Sequence, residues 1–380
     1  MTTRKIYLDN GATTKVDPKV EKIMRKFFSE NYGNASSLHT MGRDAKDALE
    51  EARKIIANSI NANTEEIIFT SGGTESDNLA IKGIAYSKGK GHIITSRIEH
   101  PAVLSTCKEL EKEGFSVTYL EVDQYGLINL NKLESAIKKD TILITIMHAN
   151  NEIGTIEPIE DIGKIAKKHD IAFHTDAVQS FTKIPIDVKK INIDLISMSA
   201  HKIHGPKGVG ALYIRNGTKI KPLFNGGGHE RRLRPGTENI AGIVGFAEAV
   251  KMKSDVQKLK TLKDYMTKEL LNIPETKLNG HATKRLPNNV NISFAYIEGE
   301  SMLFHLDNAG IFVSTGSACS SHSLEPSHVL RAINSKPEYM QGTIRFTLSR
   351  FTSKEDVDYT IKKVKEIVLN LRRMSPIARN

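Results

Sequence analysis

The stretch DLISMSAHKIHGPKG, residues 194–208, joins a short apolar run to a turn that is rich in glycine and basic residues. The run 194–198 is predicted to be a buried strand because it is short, apolar and followed by turn residues. Most lysines lie on solvated surfaces, so Lys202 directly after such a strand is unusual. A desolvated lysine can form a Schiff base, whereas the alternative interpretation is a basic surface turn.

Similar apolar runs recur before this stretch, and amphipathic helical patterns separate them. Strands that alternate with helices indicate βαβ units and a mainly parallel sheet, so the fold class is α/β. Ligands in such folds bind beyond the carboxyl ends of the strands, where we therefore expect the chemistry to cluster. The predicted strands are 66–70, 92–96, 116–120, 141–147, 171–175 and 194–198, and the helices between them include 43–59, 75–88, 102–113 and 159–169.

The character of the chain changes at about residue 241. A long, lysine-rich helical pattern covers 243–271, strands are predicted at 288–294 and 342–348, and a last helix runs from 354 to about 371. This pattern indicates a smaller α+β domain. We predict a large domain over 1–245 and a small C-terminal domain over 246–380, and leave open that residues 1–15 pack with the small domain.

Composition narrows the class of protein. The chain has 380 residues with 39% hydrophobic and 26% charged residues, which is typical of a globular protein. It shows neither an apolar stretch of roughly 18 residues nor a signal segment, so we expect a cytoplasmic protein without a membrane partner. Two cysteines exclude a disulfide framework. The net charge of +10 is spread over many lysines, which favours solubility and makes a nucleic-acid partner unlikely.

Two further motifs follow predicted strands. The motif SGGTE at 71–75 combines a glycine turn with a helix start, where free N–H groups and the helix dipole suit a phosphate. An ordinary helix cap is the alternative. Asp176 ends another strand, where a carboxylate is costly unless it is paired. A pyridinium nitrogen would be such a partner, and an N-cap for the next helix is the alternative.

The chain resembles the NifS/IscS-type cysteine desulfurases, which belong to the class-V aminotransferase branch of the fold-type I pyridoxal-5′-phosphate (PLP) enzymes. The resemblance runs in order from residues 7–10 to the C-terminal helix. It rests on the motifs SGGTES (71–76), IEHPAV (98–103), HANNEIG (148–154), HTDAVQS (174–180), SAHKIHGPKG (199–208), RPGTEN (234–239), STGSACSS (314–321) and IRFTLSRFT (344–352).

This resemblance implies a cofactor site for PLP. Lys202 would hold the cofactor covalently, Asp176 would pair with its pyridine nitrogen, and Gln179 would bond its phenolic oxygen. His100 would stack on the ring and help to move protons. Thr237 would reach the phosphate from a second subunit, which implies a homodimer. The phosphate contacts within one subunit would be Gly73, Thr74, Ser199 and His201.

The resemblance also implies the substrate and the sulfur acceptor. L-cysteine would bind near Asn34 and Asn151, with its carboxylate on Arg345. Cys319 would attack the substrate sulfur, leaving L-alanine and a persulfide. The sulfur would pass to an iron–sulfur scaffold protein or a tRNA thiolation enzyme, and SLEPS at 323–327 matches the branch that serves scaffolds. In that branch Cys319 would also be a transient ligand of a [2Fe–2S] cluster.

Two other functions stay open at this stage. Another PLP lyase or aminotransferase of the same fold, such as a selenocysteine lyase, would keep Lys202, Asp176 and His100 but would not need a thiol at Cys319. A non-catalytic scaffold would keep the fold and lose the cofactor. The motif RPGTEN departs from the family pattern at Pro235, where serine is usual.

Overall fold

The computed structural model describes residues 4–252, 255–316 and 327–374. Short 3₁₀ turns at Thr64–Glu66, Ala200–Lys202 and Glu230–Arg232 interrupt the regular elements. In chain order the helices and strands are β1 (Ile6–Tyr7), α1 (Pro18–Ser29), α2 (Thr40–Ser59), β2 (Ile67–Thr70), α3 (Gly73–Lys88), β3 (His92–Ser96), α4 (Pro101–Lys112), β4 (Ser116–Leu120), α5 (Leu130–Ser135), β5 (Thr141–Thr145), α6 (Ile159–Lys168), β6 (Ala172–Asp176), β7 (Leu195–Ser199), β8 (Gly210–Ile214), α7 (Ile240–Lys251), α8 (Val256–Leu271), β9 (Thr276–Leu278), β10 (Asn289–Phe294), α9 (Gly299–Asn308), β11 (Ile311–Phe312), α10 (His328–Ala332), α11 (Pro337–Met340), β12 (Thr343–Thr347) and α12 (Lys354–Met374).

A seven-stranded sheet in the described part of the chain has the order β2-β8-β7-β6-β5-β3-β4. The pairs from β4 to β7 are parallel, and β8 runs antiparallel to both of its neighbours. Its strands β3, β7 and β8 are buried along their whole length because helices cover both faces, as expected for a doubly covered sheet. The prediction of an α/β fold with a mainly parallel sheet is confirmed.

The register of this sheet places polar residues side by side at one edge. Asp176, the last residue of β6, pairs with Ser197 of β7. The chain then continues through Ser199 into the 3₁₀ turn that ends at Lys202. Parallel strands present their carboxyl ends at the same edge, so motifs that are distant in sequence meet there.

Two of the differences between the predicted and the observed elements concern the region around the large sheet and the start of the second core. The long helix predicted over 243–271 is wrong, since α7 ends at Lys251 and α8 begins at Val256. Asp255 caps α8 by accepting a hydrogen bond from the Lys258 amide, and an aspartate in this role competes with helix continuation. Strand β8 was not predicted, although its sequence GALYI is an apolar run of strand length.

The buried side chains form separate hydrophobic cores. The first surrounds the large sheet and includes Ile243, Phe246 and Val250 of α7. The second packs α8, α12 and the strands β10 and β12, and it also contains Ile6 and Leu8 from the start of the chain. We propose that the two domains divide after α7 rather than at residue 245, because the buried face of this helix belongs to the first core.

Two properties concern the described residues alone. None of their helices is long and apolar enough to cross a membrane. Within the same ranges no cluster of three or more histidine, cysteine or acidic side chains could hold a metal ion. Cys319, the predicted cluster ligand, lies outside the described residues.

Candidate active site

A cavity of about 210 Å³ opens at the carboxyl ends of the parallel strands. Its wall combines side chains from the sheet edge with Arg345 of β12, so both cores contribute to it. Sequence-predicted residues on this wall are Gly73, Thr74, His100, Asn151, Asp176, Gln179, Ser199, His201, Lys202 and Arg345.

Lys202 is held by the N-terminal segment of the chain. Its Nζ donates hydrogen bonds to the carbonyl oxygens of Gly11 at 2.6 Å and Ala12 at 2.7 Å. A second lysine lies behind it, because Lys183 Nζ donates to the carbonyl of Gln179 at 2.8 Å and to that of Lys202 at 3.4 Å. Burial and the charge of Lys202 lower the pKa of Lys183 to about 7. The amine of Lys202 is therefore held in the cavity by the carbonyl groups of Gly11 and Ala12, and the backbone carbonyl of Lys202 accepts from Lys183.

Asp176 is a buried carboxylate with one local donor. The amide of Val178 donates to its Oδ1 at 2.8 Å. Burial raises the pKa of Asp176 to about 6, while the Val178 hydrogen bond and the positive charge of Lys202 act in the opposite direction. Next to it, Gln179 Nε2 donates to the carbonyl of Gly11 at 2.9 Å. A cationic ring nitrogen in the cavity would stabilise the ionised form of Asp176, which burial alone disfavours.

The first turn of α3 and the end of β7 together form an anion site. A side chain at Gly73 would place its Cβ 2.8 Å from Cγ2 of Val178, so only glycine fits there. The buried hydroxyl of Ser199 has no hydrogen-bond partner among the described residues. The free N–H groups of a helix start and this hydroxyl are the donors that a phosphate requires. These residues therefore fit the phosphate group of PLP.

The two histidines on the wall are neutral at physiological pH. His100 caps α4, because its Nδ1 accepts a hydrogen bond from the Ala102 amide at 3.1 Å. Burial, followed by the charge of Lys202, lowers the pKa of His100 to about 4 and that of His201 to about 4. Since Nδ1 of His100 accepts, its single ring proton lies on Nε2.

Arg345 is almost completely buried at 1% exposure. Its Nη1 donates to the carbonyl of Asn151 at 2.9 Å, and its Nη2 donates to Oδ1 of Asp9 at 2.9 Å. The buried Nε has no partner among the described residues. An arginine with donor capacity left in a cavity is suited to a carboxylate ligand.

Three predicted residues do not line this cavity in the described chain. Asn34 is exposed, and its Oδ1 accepts a hydrogen bond from the Ser36 amide at 2.9 Å. Thr237 is exposed on the segment after the Glu230–Arg232 turn. Cys319 lies outside the described residues. The other cysteine, Cys107, is fully buried, and burial raises the pKa of its thiol to about 12.

Sequence reasoning missed several residues of the wall, among them Gly11, Ala12, Asp77 and Met147. The N-terminal pair could not be found from a pattern, because it reaches the cavity only through tertiary packing. Asp77 did carry a signal, since it is an acidic residue on the otherwise apolar buried face of α3. Buried acids of this kind are rare unless they have a partner or a function.

Known proteins match this arrangement along nearly the whole chain. The family model "Aminotransferase class-V" matches residues 6–360. A curated protein of Dictyoglomus turgidum named "Cysteine desulfurase IscS" is 55% identical over 98% of this chain and 97% of its own length. A solved structure named "NIFS-LIKE PROTEIN" has a TM-score of 0.91 at 41% identity and covers 97% of this chain and 100% of its own.

A further solved structure, "SspA in complex with cysteine", has a TM-score of 0.83 at 41% identity and covers 92% of this chain and 100% of its own. The matched region includes both halves of the cavity, from the segment at Gly11 to Arg345. The lysine, the buried aspartate and the phosphate-type donors of this cavity fit the cofactor that such enzymes use. The chain therefore belongs to the class-V aminotransferase family of PLP-dependent enzymes.

Proposed function

We propose that this protein is a cysteine desulfurase, which removes sulfur from L-cysteine, releases L-alanine and carries the sulfur as a persulfide on Cys319. One observation carries the proposal: a single cavity combines Lys202, Asp176 and the buried Arg345. The name of the relative from Dictyoglomus turgidum and the cysteine bound to SspA support the same substrate.

The residues around the cavity would hold PLP at both of its ends. Lys202 would bind it covalently, Asp176 would face its ring nitrogen, and Gln179 would approach its ring oxygen. Ser199 and the first turn of α3 would hold its phosphate. When bound, PLP supplies an electron sink for the negative charge that proton loss leaves on Cα of the amino acid.

Substrate binding is assigned to Arg345 and Asn151. The guanidinium group would receive the carboxylate of L-cysteine, using donor capacity that the protein leaves unused at Nε. Asn151 lies against it, since its backbone carbonyl accepts a hydrogen bond from Nη1 of Arg345. The carboxylate would thereby bind at the β12 side of the cavity.

Proton movement is assigned to Lys202 and His100. The amine of Lys202 would act as the base that takes the proton from Cα of the substrate. His100 stays neutral down to a pH of about 4, so its Nε2–H can donate a hydrogen bond to the group that exchanges a proton with Lys202 throughout the physiological range.

Sulfur transfer requires a thiolate as the nucleophile. The thiolate of Cys319 would attack the substrate sulfur, so that a new S–S bond forms and the C–S bond breaks. The electron pair of the broken bond stays with the substrate carbon, which takes up a proton and becomes the methyl group of L-alanine. The persulfide would pass to an iron–sulfur scaffold protein or a tRNA thiolation enzyme, and Cys319 would serve as a transient [2Fe–2S] ligand on the scaffold.

We also propose that the enzyme is a cytoplasmic homodimer. Large apolar side chains lie exposed at Tyr32 (67%), Leu38 (89%) and Phe224 (56%), which is typical of a surface that another protein covers. Thr237 is exposed and remote from the cavity of its own chain, so it is available to a second subunit. Free thiols and a persulfide are compatible with a reducing compartment.

The decisive experiment compares alanine variants of the two cysteines. Sulfide and alanine are measured from L-cysteine in the presence of a thiol reductant. We expect Cys319→Ala to lose sulfide release but to keep the cofactor absorption at about 400–430 nm, and Lys202→Ala to lose the normal form of that band. The control Cys107→Ala should keep the activity, because this thiol is buried and protonated.

Three results would contradict the proposal that this protein is a cysteine desulfurase. Wild-type sulfide release by Cys319→Ala would contradict the persulfide mechanism. Release of selenium by Cys319→Ala from selenocysteine, without activity on cysteine, would favour a selenocysteine lyase. A wild-type protein that stays colourless after incubation with PLP would favour a non-catalytic scaffold.

A further inference from the structure

Asp77 is a buried acid in the cofactor cavity that the proposed function does not use. It lies four residues after Gly73 on α3, is 1% exposed and lines the same cavity as Asp176. Its Oδ1 has no hydrogen-bond partner among the described residues. An ionised carboxyl group in this state is costly, because burial takes its unpartnered oxygen away from water.

The two carboxyl groups are not equivalent. Asp176 accepts the Val178 amide and feels the positive charge of Lys202, and both effects favour its ionised form. At Asp77 the hydroxyl of Ser197 is the donor within reach, and the negative charges of Asp176 and Glu99 oppose ionisation. Burial together with Asp176 raises the pKa of Asp77 well above its ordinary value. When two close buried acids share one negative charge, it lies on the acid that has more hydrogen-bond donors and positive charge around it.

Among the described residues, the basic side chain within 4 Å of the Asp77 carboxyl group is a histidine. His174 of β6 has its Nε2 at 3.7 Å from Oδ1 of Asp77. Its ring is already bound on both sides, with Nδ1 at 2.8 Å from Thr145 Oγ1 and Nε2 at 2.9 Å from Ser197 Oγ. Complete burial lowers the pKa of His174 to about 3, so this imidazole is neutral.

The described side chains that α4 packs into the same core also add no positive charge. They are Val103, Leu110 and the buried thiol of Cys107. Glu99, which precedes α4, is fully buried and is held by the amide of Met147. Strands β5 and β7 contribute the hydroxyl groups of Thr145 and Ser197. Glu75, also on α3, is directed away to Arg234 at 2.9 Å.

We propose that Asp77 stays protonated and acts as a positioning residue for Asp176, toward which it directs its hydroxyl hydrogen. Of the two acids, only Asp176 then carries a negative charge, and this charge faces the ring nitrogen of the cofactor. The proposal rests on the proposed function in one respect, namely that Asp176 meets the pyridine nitrogen of PLP.

The first test detects the proton itself. Infrared difference spectra between wild-type holoenzyme and Asp77→Asn should contain the carbonyl stretch of one protonated carboxyl group, which the variant lacks. The control Asp161→Asn removes an exposed acid of α6 and should show the loss of ionised carboxylate bands only. Absence of the protonated band from the Asp77 difference spectrum would overturn the proposal.

The second test measures the positioning effect through the Kd of PLP. Asp77→Asn keeps a neutral donor of similar shape, and we expect its Kd to stay within about twofold of the wild-type value. Asp77→Ala removes a hydrogen bond to a charged group, so its Kd should rise about tenfold or more. Equal losses in the two variants, or no loss in Asp77→Ala, would refute the positioning role.

A third variant separates this proposal from the assignment of the cofactor site. Asp176→Asn should weaken PLP binding and shift the pH at which the bound-cofactor absorption changes, whereas Asp77→Asn should leave that pH in place. If Asp176→Asn changed neither quantity, the assigned orientation of the cofactor would be wrong. If only the Asp77 variants deviated from expectation, the desulfurase proposal would stand and the role of Asp77 would fall.

Discussion

Arg345 Nη2 donates a hydrogen bond of 2.9 Å to Oδ1 of Asp9, which joins strand β12 to the segment that follows β1. The guanidinium group is buried at 1% exposure, while the Asp9 side chain is 17% exposed. The same N-terminal segment supplies the Gly11 and Ala12 carbonyls that hold Lys202. The residues assigned to the substrate carboxylate and to the cofactor are therefore linked through a short piece of chain.

The first prediction follows from that ion pair. Arg345→Lys removes the planar pair of donors, so a substrate carboxylate loses at least one charge-assisted hydrogen bond. We expect KM for L-cysteine to rise by about tenfold or more, with little change in cofactor absorption. Steady-state kinetics check this, with Arg25→Lys on the exposed face of α1 as the control. An unchanged KM would remove Arg345 from the substrate site.

The second prediction concerns Glu152 and its contacts with Gly316 and Ser327. These two residues lie on either side of the segment that contains Cys319. Glu152 is buried at 1% exposure, and its Oε2 accepts the hydroxyl of Ser327 at 2.5 Å. A Cβ built at Gly316 would lie 3.1 Å from the same oxygen, so Gly316 lies close to the carboxylate that Ser327 contacts. Loss of such an anchor can displace reacting groups and cost up to about a hundredfold in rate.

We therefore expect Glu152→Ala to lower the rate of persulfide formation without loss of bound PLP. Glu152→Gln keeps an acceptor for Ser327 and should recover much of the rate. Mass spectrometry of the Cys319 persulfide over time measures the effect, and cofactor absorption reports whether the site is intact. A wild-type persulfide rate in Glu152→Ala would show that this contact does not position the segment.

The third prediction is a pH dependence of stability at Glu157. Burial raises its pKa to about 8, and its Oε1 has no partner in the described ranges of the chain. The folded state thus keeps a proton that the unfolded chain releases above its ordinary value of 4.5. The free energy of unfolding loses on the order of 1 kcal/mol per pH unit as the pH rises from 4.5 to about 8.

Glu157→Gln abolishes this loss because an amide does not ionise. The difference in unfolding free energy, variant minus wild type, should therefore increase with pH over that window. Urea unfolding at several pH values measures it, with the exposed Glu160→Gln as the control. A difference that is independent of pH would mean that Glu157 is ionised in the folded protein.

The fourth prediction concerns the buried ion pair between Arg53 and Glu230. Both contacts are 2.7 Å long, and the two side chains are 4% and 2% exposed. Glu230 begins three residues with positive φ, at 42°, 55° and 65°, so the pair also holds a strained turn. We expect Glu230→Gln to destabilise the protein by about 3–5 kcal/mol, since the buried Arg53 would lose this carboxylate and keep the exposed Glu50 as its anion.

Urea unfolding of Glu230→Gln tests this expectation. The matched control is Glu21→Gln, whose partner Arg25 is 75% exposed and whose ion pair should contribute less than about 1 kcal/mol. A loss as small as that of the control would show that the buried pair does not stabilise the Glu230 turn.

Local patterns predicted much of the fold for a physical reason. The strands at His92–Ser96 and Ser116–Leu120 have the predicted bounds, because short apolar runs between polar turns are decided by neighbouring residues. The wrong prediction of one helix over 243–271 arose because a periodic pattern does not reveal where a side chain caps a helix. Helical periodicity continues across Asp255, whereas the side chain of this residue caps a new helix.

The sequence by itself determined that Lys202 follows a buried strand and that Asp176 ends one, since a strand and its turn are local features. Only the tertiary structure decided that Asp9 meets Arg345, that Gly11 and Ala12 hold Lys202, and that Asp77 lies in the cavity of Asp176. Contacts of this kind depend on strand order and on the packing of two cores against each other. Periodicity along the chain carries no information about them, because it records which face of an element is buried and not which partner covers it.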